Sequence, residues 1–135
     1  MSDVFLLGRV LFGGTFTYYG LNHFISTGMM AQYAASKGVP APELAVIASG
    51  ALLVAGGLSV LFGIWPHIGA ACLGLFLIGV TPVMHNFWDV ADPAQRMNEM
   101  AHFTKNMSLL GGVMMMAAVP RPWPYSLERR RRILI

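Results

Sequence analysis

The sequence predicts an all-α membrane protein, a four-transmembrane-helix antiparallel bundle, and three observations carry that prediction. Hydrophobic residues make up 56% of the 135 residues and charged ones only 11%, with a mean hydropathy of +0.59. That balance is far from a soluble domain of the same length. The apolar residues gather into long runs near the roughly 20 residues that carry an α-helix across a bilayer core about 30 Å thick. Prolines and short polar links separate the runs, which leaves one domain and no soluble portion of any size.

The first helix is expected over about 4–25, interrupted by Arg9 and by polar residues toward its far end, and stopped by Ser26, Thr27 and Gly28. No basic leader or small-residue cleavage site accompanies this run, so it is expected to stay attached. The stretch from Met29 to Glu43 reads as a link, because Pro40 and Pro42 break a continuous helix, and Pro42 suits the start of the next one. The second helix, about 44–62, is almost entirely small and aliphatic. A link of a few residues around Ile64, Trp65, Pro66 and His67 joins only antiparallel neighbours, so the third helix, about 68–87, returns at once.

The fourth helix is the informative one. Its uninterrupted apolar run, Met107 to Val119, reaches only about 20 Å at 1.5 Å per residue. To span, it must begin near Glu99, giving about 99–119 and drawing His102, Lys105 and Asn106 to membrane depth. Pro120, Pro122 and Pro124 then end it, Trp123 and Tyr125 suit the water interface, and residues 120–135 form a basic tail.

Charge orients the bundle. The tail carries Arg121 and Arg129 to Arg132, more than the whole formal excess of +3, whereas Lys37, Arg96 and Lys105 on the other side are offset by Glu43, Asp89, Asp92 and Glu99. The positive-inside rule then puts both termini in the cytoplasm. A basic run beside a membrane segment anchors to anionic lipid, so membrane lipids rather than nucleic acid are the expected partner. A single cysteine, Cys72, excludes an internal disulfide or CxxC redox pair.

No phosphate loop, dinucleotide fingerprint or nucleophile elbow is present, so the chain carries no redox cofactor motif of its own. Its histidines lack HxxxH, ExxH or CxxCH spacing, so no metal is predicted, and the methionines of 29–30 and 114–116 read as apolar filler. Small residues four apart, Ala51, Ala55 and Ser59 with Ala70 and Gly74, read as a packing stripe between the second and third helices.

Polar groups within a bilayer are costly unless paired, and here nearly all of them gather in the outer halves of helices one, three and four. Tyr18 and Asn22, and Tyr19 and His23, are four apart; His102, Lys105 and Asn106 stand at i, i+3 and i+4; Pro82 bends the third helix just before His85 and Asn86. Together with Trp88 this outlines an outward-opening pocket whose candidate binding residues are Tyr19, Asn22, His23, His85, Trp88, His102, Lys105 and Asn106. One reading is a quinone-like headgroup whose carbonyls take hydrogen bonds from Lys105, His85 and Asn106 while its tail lies among apolar helices. The other is that the same residues bond only to lipid headgroups and backbone at the interface, with Lys105 snorkelling outward.

Arg9 lies about 8 Å into the first helix from the inner side. It is expected to snorkel to the cytoplasmic face or to pair with a backbone carbonyl near the 62–67 link. His67 reads as an interfacial neighbour of Arg9.

An ordered set of segments resembles the DoxX family of small bacterial and archaeal membrane proteins: GRVLFGGTFTYYGLNHF from Gly8 to Phe24, GVPAP from Gly38 to Pro42, the paired Gly56 and Gly57, HNFW from His85 to Trp88, and HFTKNMSLLGG from His102 to Gly112. The likeness covers about Gly8 to Ala118, with matching positions at Arg9, Gly20, His85, Phe87, Trp88, Lys105 and Asn106.

The resemblance implies a four-helix subunit of the cytoplasmic membrane that serves a redox assembly, as in relatives that are a subunit of a thiosulfate:quinone oxidoreductase or a membrane partner of redox-defence enzymes. The alternative is a non-enzymatic accessory subunit of a larger respiratory or photosynthetic complex, and catalysis by this chain is left open. Two positions depart from many relatives: Leu53 stands where they carry a glutamate, and His67 where they carry arginine. The missing carboxylate is the obvious proton acceptor or counter-ion for Lys105 or Arg9.

Overall fold

Prolines set the breaks in the computed structural model, which describes residues 1–128. Helix α1 runs Ser2–Ile25, α2 Thr27–Ser36, α3 Pro42–Phe62, α4 Pro66–Met84 and α5 Pro93–Ala117, with a 3-10 turn at Phe87–Asp89 between the last two. Pro42, Pro66 and Pro93 each stand in a first helical turn, where a missing N–H costs nothing. Asp92 caps α5 by accepting the Gln95 N–H at 2.7 Å. No strand occurs among the described residues.

Three segments are long and apolar enough to cross a membrane: Ser2–Ile25, Pro42–Phe62 and Pro66–Asp89. Helix α5 has 25 residues, about 37 Å at the helical rise, but its first half is polar.

The helices pack in the order α1, α3, α4, α5, with α2 lying against α3. Glycines bring α1 and α3 together. A Cβ on Gly13 would stand 2.6 Å from the Gly57 carbonyl oxygen, and one on Gly20 would stand 2.7 Å from the Val54 nitrogen. Such backbone-to-backbone approach is the membrane counterpart of a packed core. Helix α4 reaches α3 through Gly56, whose absent Cβ leaves room for Leu73, and Leu53, Val60, Leu73 and Leu77 form the buried centre. Helices α1 and α5 do not pack along their length, and a groove remains between them.

Several expectations need correcting. The stretch from Met29 to Glu43 is largely helical, because Ala31 and Ala34 bury one side of α2 against Val46. Helix α4 ends at Met84, not 87: Pro82 removes a backbone donor and the chain turns out within three residues, with His85 as its cap. Helix α5 starts at Pro93 rather than 99, since Asp92 and Pro93 already nucleate it. Of the expected packing stripe, Ser59 meets Gly69 and Ala70 is buried, but Ala51 and Ala55 face outward, and the closest contacts between α1 and α3 run through glycines.

Trp123 is 0% exposed, because Phe5 meets it edge-on at 5.1 Å and Arg9 lies over its ring. The basic run Arg129 to Arg132 lies outside the described residues.

Arg9 itself is 2% exposed. Its guanidinium donates to the carbonyls of Val60 at 3.0 Å, Leu61 at 2.8 Å and Pro124 at 2.7 Å. Two of these acceptors are carbonyls of the last turn of α3, the end where the helix dipole favours a cation, and that of Val60 also takes the Gly63 N–H at 3.3 Å. Gly63 caps the same helix in the left-handed region at φ 64°, and a Cβ there would also meet Arg9 Nη2 at 3.0 Å.

Candidate functional site

The groove between α1 and α5 holds a cavity of about 620 Å³, floored by α3 and α4. It extends along α1 from Gly8 to His23, some 22 Å by the helical rise. One end is apolar, with Leu11, Phe12, Phe16 and Leu109; the other presents Tyr19, His23, His85, Lys105 and Asn106. Leu53 lies on its floor.

Five of the eight predicted residues therefore line one cavity. His102 stands behind them: its ring stacks on His85 with centroids 5.1 Å apart, and its Nδ1 takes a hydrogen bond from Lys105 Nζ at 3.2 Å. Two residues point elsewhere. Asn22 accepts a bond from Ser26 Oγ at 3.3 Å within its own helix, and Trp88, half exposed on the 3-10 turn, packs against Phe87 and Phe103.

His23 is held by its own helix, its Nδ1 lying 2.7 Å from the Tyr19 carbonyl, which leaves its ring edge toward Phe76. The early end of α4 and the polar start of α5 are what bring His85 and Lys105 to one wall. Pro82 ends the first, and the 3-10 turn folds the chain back so that the second runs antiparallel to it.

Sequence reasoning passed over the acid in this cluster. Glu99 is 6% exposed, and its carboxylate accepts from His85 Nδ1 at 2.8 Å while its other oxygen lies 3.5 Å from Lys37 Nζ. Lys37 also donates to Asn86 at 3.4 Å, and Asn86 in turn to Asp89 at 3.1 Å. A signal for Glu99 was present: with His102 and Asn106 it stands at i, i+3 and i+7 on one face of α5. Lys37 had none, because only the fold of α2 beside α3 brings it to the end of α4.

Electrostatically the cluster is uneven. Glu99 is shared between His85 and Lys37, whereas Lys105 has no carboxylate partner among the described residues. A cation that lines a mostly apolar cavity and lacks a counter-ion favours ligand oxygen atoms. Among the described residues no group of three or more His, Cys, Asp or Glu is placed to hold a metal ion.

A helical chain with three apolar spans and a polar-ended cavity between its helices is a small integral membrane protein. It belongs to the DoxX family, whose profile matches residues 4–86. It is similar, at 28% identity over 125 residues, to the protein named Inner membrane protein YphA of Escherichia coli (strain K12), a match that spans 93% of this chain and 88% of that one. No solved structure matches the chain.

Proposed function

We propose that this DoxX protein is a membrane subunit of a redox assembly, and that its cavity takes the headgroup of a quinone while a partner subunit carries the electron-transfer cofactor. One observation carries the reading: the cavity is mostly apolar along Leu11, Phe12 and Leu109, with Thr15 among them, and its polar side chains gather at the end where Lys105, His85 and Asn106 meet Tyr19 and His23. An amphiphile with a flat, oxygen-bearing head and a hydrocarbon tail fits that division. The Lys105 ammonium and the Asn106 amide are donors for a carbonyl oxygen.

In this reading α5 is the fourth crossing, its polar first half shielded by α4 and by the cavity contents. Both termini face the cytoplasm, following the basic residues beyond Pro120, and the polar end of the cavity faces outward. Lipid and neighbouring redox subunits cover the exposed apolar faces.

Turnover of the isolated complex with a short-chain quinone tests the proposal. Lys105→Ala and His85→Ala each abolish quinone-dependent turnover if the cavity is the quinone site. Wild-type turnover in both variants rejects it and leaves the accessory-subunit reading.

A further inference from the structure

The bond between His85 and Glu99 decides which form of the ligand the cavity suits. A carboxylate only accepts, so the 2.8 Å contact requires the proton on His85 Nδ1. In the neutral ring the other nitrogen, Nε2, is then bare, because the partner of one imidazole nitrogen sets the state of the other. Nε2 has no protein partner, and His85 lines the cavity. The ring is kept in place by His102 stacked at 17° to it, and Glu99 is kept in place by Lys37 at 3.5 Å. His85 thus offers the cavity an acceptor, while the donors are Lys105 and Asn106.

We infer that Glu99 is a positioning residue that sets His85 to accept a proton from a ligand hydroxyl, so that the cavity is built for the reduced, quinol-type headgroup rather than the quinone. This rests on the quinone reading and narrows it. In the step itself the ligand O–H bond breaks, its proton forms the Nε2–H bond of His85, and the electron pair stays on the oxygen as a phenolate. No electron leaves the ligand. The imidazolium is then held against Glu99, and the Lys105 ammonium on the same cavity wall opposes the phenolate. The charged groups around His85 are Glu99, Lys37 and Lys105, with the His102 ring beside it.

The test uses the full chain in lipid nanodiscs with ring-15N histidine, His85 being assigned by its loss in His85→Gln. Nitrogen shifts of the neutral ring should report Nδ1–H and bare Nε2 in the wild type, and a mixture of tautomers in Glu99→Gln. A bare Nδ1 in the wild type overturns the inference without any variant having to fold. Binding of decylubiquinol and decylubiquinone is measured beside it. The wild type should favour the quinol by about tenfold, roughly 1.4 kcal/mol, and Glu99→Gln should lose that preference. Equal binding of both ligands to the wild type, or an unaltered preference in Glu99→Gln, overturns the inference and leaves the quinone reading intact. Failure of both ligands to bind the wild type overturns the two together.

Discussion

Arg9 and Lys105 are both cations carried on long helices of the bundle, yet the protein treats them in opposite ways. Arg9 is enclosed, and three backbone carbonyls take its guanidinium, so nothing of it is left for a ligand. Lys105 keeps one neighbour, His102, and otherwise faces a cavity. Around Arg9 the contacts are with main chain and with Trp123, which any small shift would break; around Lys105 they are between side chains, which repack. The difference teaches how to sort polar residues in a membrane chain. A charge satisfied by backbone closes a fold, whereas a charge left partly unmatched beside an opening is the one to examine for function.

The comparison yields an ordered set of outcomes for thermal unfolding in mild detergent. Trp123→Ala should cost most, about 3–5 kcal/mol, because the ring is fully enclosed between Phe5 and Arg9. Arg9→Met follows at about 3 kcal/mol, since it strands carbonyls that now receive charged donors, and Arg9→Lys should recover less than half because an ammonium cannot reproduce the planar fork.

Next comes Gly13→Ala, about 1–3 kcal/mol, as the new methyl meets backbone of α3 at 2.6 Å and the two helices must part. Asp92→Ala, which removes only the cap of α5, should cost about 1 kcal/mol. Lys105→Met should change stability by less than about 0.5 kcal/mol while lowering quinol affinity about tenfold. If it instead destabilises the protein as Arg9→Met does, the contrast between the two ends is wrong.

Much of this was legible before any coordinates, and the parts that were not share a cause. The spacing of His102, Lys105 and Asn106 placed them on one face of a helix, and four of the aromatic and basic side chains drawn from three separate helices do meet at one cavity with Asn106. Arg9 was expected either to snorkel to the cytoplasmic face or to pair with a carbonyl near the 62–67 link; it takes the second course, with the carbonyls of Val60 and Leu61 just before the link.

What escaped were contacts that no local pattern encodes. Glu99 looked like one of several loop charges, and only its burial against His85 sets it apart. The packing stripe was placed on Ala51, Ala55 and Ser59 against Ala70 and Gly74; Ser59 and Ala70 do pack, but Ala51 and Ala55 stand about a third of a turn from the glycines that touch, because small residues occur all round α3 and periodicity alone does not choose between faces. Trp123 was assigned by residue type to the interface; its burial depends on Phe5, from the opposite end of the sequence.

The Arg9 clamp also has a bearing on biosynthesis. Its third acceptor, the Pro124 carbonyl, lies 115 residues further along the chain. A nascent first helix therefore finds two of its three acceptors once α3 is in place, and waits for the third through the insertion of α4 and α5. Only when Pro124 has been made is the arginine fully sealed, so the latch ties the first helix to a segment synthesised after α5.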